Sequence, residues 1–129
     1  DLATARKLGM DSTANAMRGA GSPPSPGVTN LELTPGDKTR DELIREMGRG
    51  LVVTSMLGAS INGTTGDYSR GAGGFWVENG EIAHAVNECT IAGNLRDMLL
   101  RLTAANDLPD WRSMRVPSLL VEGMTVAGE

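Results

Sequence analysis

The pair Asn79-Gly80, set between "FWVE" and "EIAHAV", constrains this chain more than any other two residues. A two-residue type I′ turn needs φ > 0 at both central positions, and Asn-Gly adopts that conformation at the lowest steric cost. Residues 75–86 therefore read as a β-hairpin. Strand alternation puts Phe75 and Val77 on one face, with Trp76 and Glu78 on the other. Any fold for this chain has to be built around an antiparallel pair.

The flanking segments supply the rest. Leu2–Leu8 reads as a short helix stopped by Gly9. "GAGSPPSPG", residues 19–27, holds three prolines and three glycines. It is expected to be a flexible loop without regular structure. "VTNLELTPG", residues 28–36, reads as a short strand ending in a Pro-Gly turn. Thr39 and Glu42 match the S/T-x-x-E capping box, so a helix is expected from Thr39, buried through Leu43, Ile44 and Met47 and ended by Gly48 or Gly50. "GLVVTSMLG", residues 50–58, is β-branched and apolar enough for a buried strand. Asn94 is a fair N-cap for a helix to Ala105, with Leu95, Met98, Leu99 and Leu102 as its buried stripe. Residues 115–128 close the chain as a strand, bent or bulged at Gly123. The expectation is an α+β fold with a mixed, mainly antiparallel sheet, the 75–86 hairpin and two or three helices. It is read as a single domain over residues 1–129. With no initial Met, it reads as the C-terminal fragment of a longer chain.

Composition narrows the function classes. Only 3% of residues are aromatic, so the core is built from aliphatic side chains and seven methionines. The net charge of −4, with no Lys/Arg block, argues against nucleic acid and against an anionic membrane surface. No run of about 18 apolar residues is present that could span a bilayer. The single cysteine, Cys89, excludes an internal disulfide.

Catalytic patterns are sparse. His84 and Cys89 are the chain's one histidine and one cysteine, and neither HExxH nor CxxC occurs. They read as a half-buried histidine and a buried thiol, not as zinc ligands. Asp41 and Glu42 fall in the first turn of the expected helix, where its dipole favours negative charge; with Glu46 they do not read as a metal site. No GxSxG accompanies the serines, and "GAGG" at residues 71–74 lacks the GK[ST] ending of a phosphate loop. What remains is "NGTTGDYSRGAGG", residues 62–74, read as a loop. Asp67, Tyr68 and Arg70 offer an acceptor, an aromatic face and a guanidinium. Gly71 and Gly73 would let another backbone approach. That set suits a peptide or a partner subunit. The alternative is that Asp67 and Arg70 pair with each other or cap turns locally.

"GDYSRGA", "FWVENGEI", "TIAGNL" and "MTVAG" are long and specific, and through them the chain resembles the C-terminal domain of the PmbA/TldD proteins, also called modulators of DNA gyrase. The likeness runs from Ala5 to Gly128 and is weakest at residues 19–27. "TGDYSRGAGGFWVENGEI" is similar to the PmbA, or TldE, form. The resemblance implies a cytoplasmic metallopeptidase acting on unfolded or short peptides. In the TldD form, zinc is held by an HExxxH helix and a cysteine near the C-terminus. "NDLPDWRSMRVPSLL" has no such cysteine, and Cys89 lies elsewhere in the pattern. The resemblance therefore implies no cofactor in this chain, zinc in a TldD-like partner subunit, and a heterodimer in which this chain shapes the chamber or binds peptide. An upstream HExxxH would instead indicate an independent metallopeptidase. Self-association of the fragment through exposed apolar surface is a further expectation. A non-enzymatic interaction or regulatory domain, the class to which the gyrase label belongs, stands as the alternative.

Overall fold

Local signals set several element boundaries, and long-range pairing overrides others. The structure, a computed structural model, describes residues 1–128 apart from the side chain of Ala59. In chain order the first elements are α1 (Leu2–Leu8), β1 (Ala16–Met17), β2 (Ser25–Pro26), β3 (Leu31–Glu32), α2 (Arg40–Met47) and β4 (Gly50–Ile61). There follow β5 (Asp67–Glu78), β6 (Glu81–Asn94), α3 (Leu95–Leu100), β7 (Leu102–Ala104), β8 (Met114–Arg115), β9 (Leu119–Val121) and β10 (Thr125–Ala127). The architecture is α+β, with three helices among the described residues and mainly antiparallel pairing, as expected.

The chain forms two compact units. One holds Asp1–Leu33 and Pro109–Val116. In it α1 begins at Asp1, whose carboxylate accepts from the Thr4 N–H at 2.9 Å, and ends at Gly9 with φ 64°, as its sequence indicated. The Gly/Pro-rich stretch is not wholly irregular: β2 lies within it and pairs antiparallel with β1. Pro26 fits there because a two-residue edge bridge does not need its missing N–H. The strand expected over 28–36 shrinks to β3, which pairs in parallel with β8, and the Glu32 and Arg115 side chains join across that pair.

The other unit holds Thr34–Leu108 and the chain from Pro117 on. Its centre is an antiparallel sheet in the order β10-β6-β5-β4. Asn79 and Gly80 make the β5–β6 turn with φ of 53° and 78°, as the type I′ pattern requires. Gly80 has a second reason to be glycine. Its N–H donates to the Gly48 carbonyl at 2.8 Å, and a Cβ there would meet the Arg45 backbone at 3.0 Å. Helix α2 thus packs on the hairpin turn. It carries the full capping box: the Thr39 hydroxyl accepts from the Glu42 N–H at 3.2 Å, and the Glu42 carboxylate accepts from the Thr39 N–H at 2.8 Å. The Thr39 amide and then its hydroxyl hold the Glu42 carboxyl below the usual glutamate range.

The core of the sheet is Ala72, Cys89 and Ile91, with Leu51, Val53, Val86 and Met124 against it. Val77 is fully buried, whereas Phe75, expected on the same face, is exposed. Three further expectations change. First, β4 is an edge strand rather than a buried one, with Met56, Leu57 and Ile61 exposed. Second, the helix expected over 94–105 stops at Leu100. Residues 102–104 pair with β9, leaving Leu99 and Leu100 exposed. The cap at Asn94 is as predicted, its side chain accepting from the Arg96 N–H at 3.1 Å. Third, the C-terminal strand is three pieces, because Arg115, Leu119 and Thr125 each pair with a different strand. Gly123, at φ 76°, turns the chain between β9 and β10. Asp107 secures the approach to β9. Its carboxylate accepts from the Ser118 amide and hydroxyl, both at 2.7 Å, and those bonds, the hydroxyl's first, lower its pKa.

Candidate functional site

The turn joining β4 to β5 is built on Asn62. Its side-chain Oδ1 accepts from the Thr64 N–H at 2.9 Å and the Thr65 N–H at 3.2 Å. Its carbonyl accepts from Gly66, and its own N–H donates to Asp67. An Asx turn of this kind replaces the backbone bonds that a tight reversal leaves open. Asn94 ties the turn to the end of β6 by donating to the Thr65 carbonyl at 2.9 Å.

Beyond the turn, Asp67, Tyr68, Arg70, Gly71 and Gly73 all lie on β5, not on a loop as their composition suggested. β5 is an inner strand, paired with β4 and β6 along its length. Gly73 and Gly74 reflect crowding there. A Cβ at Gly74 would lie 1.9 Å from the Val52 carbonyl oxygen, and one at Gly73 would lie 3.0 Å from the Ser55 hydroxyl. Register shifts next to these residues, at Ala72/Gly74 and Val53/Ser55, mark bulges that need the close approach.

The three polar side chains do not converge. Tyr68 packs against the buried cluster and points its hydroxyl at the Met56 sulfur, 3.8 Å away. The Arg70 guanidinium donates from Nε to the Gly58 carbonyl on β4 at 2.6 Å. Asp67 accepts the Thr65 hydroxyl at 2.6 Å and thus caps its own turn. Asp67 and Arg70 form no ion pair among the described residues. These groups brace the β4–β5 corner. Among the described residues β4 pairs only with β5. It offers a 12-residue edge carrying Met56, Leu57 and Ile61, with Leu57 75% exposed. Bulges at Val53/Ser55 and Leu57/Ser60 break that edge into short segments and blunt indiscriminate pairing.

Sequence reasoning missed Asn62 as the organiser of the corner and Gly74 as the tightest contact. Asn62-Gly63 resembles the hairpin signal and could have been found; Gly74 depends on Val52, on the neighbouring strand β4. It also missed the stacking of Arg49 over Trp76, 5.5 Å from the ring centroid, with the Trp76 indole N–H donating to Glu78 at 3.3 Å.

The donor set does not fit zinc. His84 lies exposed on β6, contrary to the half-buried placement expected for it. Cys89 is buried, as expected, with its thiol donating to the Ala72 carbonyl at 3.0 Å. No three His, Cys, Asp or Glu side chains gather among the described residues. No helix among them is long and apolar enough to cross a membrane.

Comparison with known proteins places this geometry. Residues 1–128 match the family model described as the PmbA/TldA metallopeptidase C-terminal domain. The chain is 42% identical to the metalloprotease PmbA of Escherichia coli O157:H7, over 98% of its own length and 26% of that protein's. It is 44% identical to the metalloprotease PmbA homolog of Haemophilus influenzae, over 95% of its length and 26% of the relative's. The chain therefore spans about a quarter of the curated relatives it matches. The crystal structure of a candidate modulator of a DNA gyrase from Thermotoga maritima superposes with a TM-score of 0.79 at 42% identity, covering 98% of this chain and 29% of that one.

Proposed function

This chain belongs to the PmbA/TldD family of metallopeptidase C-terminal domains, and from that premise we propose that it is the metal-free half of a two-subunit, cytoplasmic zinc peptidase. In this reading the TldD-like subunit brings the zinc, and the PmbA-type subunit closes the chamber and holds an unfolded or short peptide. The observation that carries it is the outer edge of β4, unpaired among the described residues. An extended peptide can add to such an edge through main-chain hydrogen bonds, which suits a peptidase that accepts varied sequences. Met56, Leu57 and Ile61 would then meet its apolar side chains. Arg70, by holding the Gly58 carbonyl, keeps the far end of that edge in shape. Tyr68 and Asp67 support the same corner from β5.

The test is peptide cleavage by the full-length protein, alone and mixed with a TldD-type subunit, with and without a chelator. Chelator-sensitive cleavage confined to the mixture is expected. Leu57→Asp should lower cleavage in that mixture by on the order of tenfold, with the fold intact, since this surface position contributes little to stability. Cleavage by the PmbA-type protein alone would overturn the division of labour. A stable complex without cleavage would favour the interaction-domain alternative.

A further inference from the structure

The chain contains two Asn-Gly steps, Asn62-Gly63 and Asn79-Gly80, and the structure treats them in opposite ways. Asn-Gly is the dipeptide most open to intramolecular attack by the backbone nitrogen on the side-chain amide, because glycine has no Cβ to obstruct the approach. At Asn79 that reaction is blocked. The Gly80 nitrogen already donates to Gly48, and Gly80 packs on the Arg45 backbone. At Asn62 it is open. The Gly63 N–H has no hydrogen-bond acceptor among the described residues, and the space a Cβ would take at Gly63 is empty. The Thr64 and Thr65 amides, moreover, both donate to the Asn62 Oδ1, at 2.9 and 3.2 Å. Negative charge develops on that oxygen when nitrogen adds to the neighbouring carbon. Two fixed backbone donors there are an oxyanion hole in miniature.

We infer that Asn62 is a site of spontaneous deamidation and isoaspartate formation in the folded protein. The Gly63 nitrogen loses its proton to solvent and bonds to Asn62 Cγ. The Cγ–Nδ2 bond then breaks, and the leaving nitrogen takes up a proton and departs as ammonia. The resulting succinimide adds one water. Opening at the backbone carbonyl gives isoaspartate, and opening at the side-chain carbonyl gives aspartate. The isoaspartyl product puts an extra methylene into the main chain and a carboxylate beside Asp67. It also removes the side-chain oxygen that caps Thr64 and Thr65. The corner holding the end of β4 loosens as the protein ages.

The experiment incubates the full-length protein at mildly alkaline pH, folded and in denaturant. Peptide mapping with isoaspartyl methyltransferase labelling then follows both sites. In the folded protein Asn62 should convert at least about fivefold faster than Asn79, the factor that one net hydrogen bond is worth. In denaturant the two rates should converge. Gly63→Ala should slow conversion at Asn62 several-fold while leaving the unfolding midpoint in place. Equal rates in the folded protein, faster conversion at Asn79, or a Gly63→Ala variant that reacts at the parent's rate would each overturn the inference.

Discussion

One strand separates two turns that start from the same dipeptide. At the C-terminal end of β5, Asn79-Gly80 is closed: the hairpin reverses in two residues, and α2 packs on the glycine. At the N-terminal end, Asn62-Gly63 opens a longer turn facing solvent, organised by the Asn62 side chain and anchored at its far side by Asn94 and the Leu95 N–H, which donate to the Thr65 and Gly66 carbonyls. Local chemistry is shared, and the difference comes from what packs on each turn. A glycine with a helix packed on it is part of the scaffold. A turn whose leading Asn-Gly faces solvent can change its covalent structure there or admit a ligand without unfolding the sheet.

The strand between them is the first place to test that view. Gly74→Ala puts a Cβ 1.9 Å from the Val52 carbonyl oxygen, a backbone atom that has no rotamer in which to escape. The substitution should cost about 3 kcal/mol, read as a lowered denaturant midpoint. An unchanged midpoint would mean that β4 and β5 can separate locally, and that the scaffold end is not rigid.

The two glycines of the turns come next. Gly80→Ala places a side chain at φ +78° against Arg45 and should cost about 2 kcal/mol. Gly63→Ala meets open space and should stay within about 0.5 kcal/mol of the parent. Equal losses at the two positions would erase the distinction between a buttressed and a free turn.

The same contrast explains what could be read in the sequence. The capping box at Thr39 and Glu42, the Gly9 cap and the Asn79-Gly80 turn are local. Their causes lie within four residues, and each is present as expected. Features set by distant partners were misread. Leu102–Ala104 continued a helical pattern until β9 offered it a ladder. Residues 67–74 looked like a loop because glycine usually marks one. Here glycine marks an inner strand whose neighbours lie too close for a side chain. Asp67, Tyr68 and Arg70 were identifiable as an unusual cluster, but strand geometry sends them to different partners, and nothing in their spacing showed that β4 would pair on one side only among the described residues.

A pH-dependent effect probes how the closed turn is held. Glu42 is exposed, and its carboxylate closes the capping box of the helix that packs on Gly80. Hydrogen bonds from Thr39 lower its folded pKa below the ordinary value. Its contribution is therefore fully present above the ordinary glutamate range and is lost as pH falls through the lowered folded value. Protonation removes the acceptor charge that the Thr39 N–H uses, so the first turn of α2 frays, and the constraint on the hairpin turn weakens with it. Amide exchange at Gly80, corrected for the intrinsic pH dependence, should rise in that acid window, whereas exchange at the Thr64 and Thr65 amides should not. Thr39→Ala should lower stability by about 1 kcal/mol at neutral pH and weaken, without abolishing, the acid response at Gly80, because the hydroxyl bond to the Glu42 carboxylate is gone while the residue 39 amide still donates to it. If Gly80 and Thr64 respond alike, the two turns share one opening event, and the helix is not what separates them.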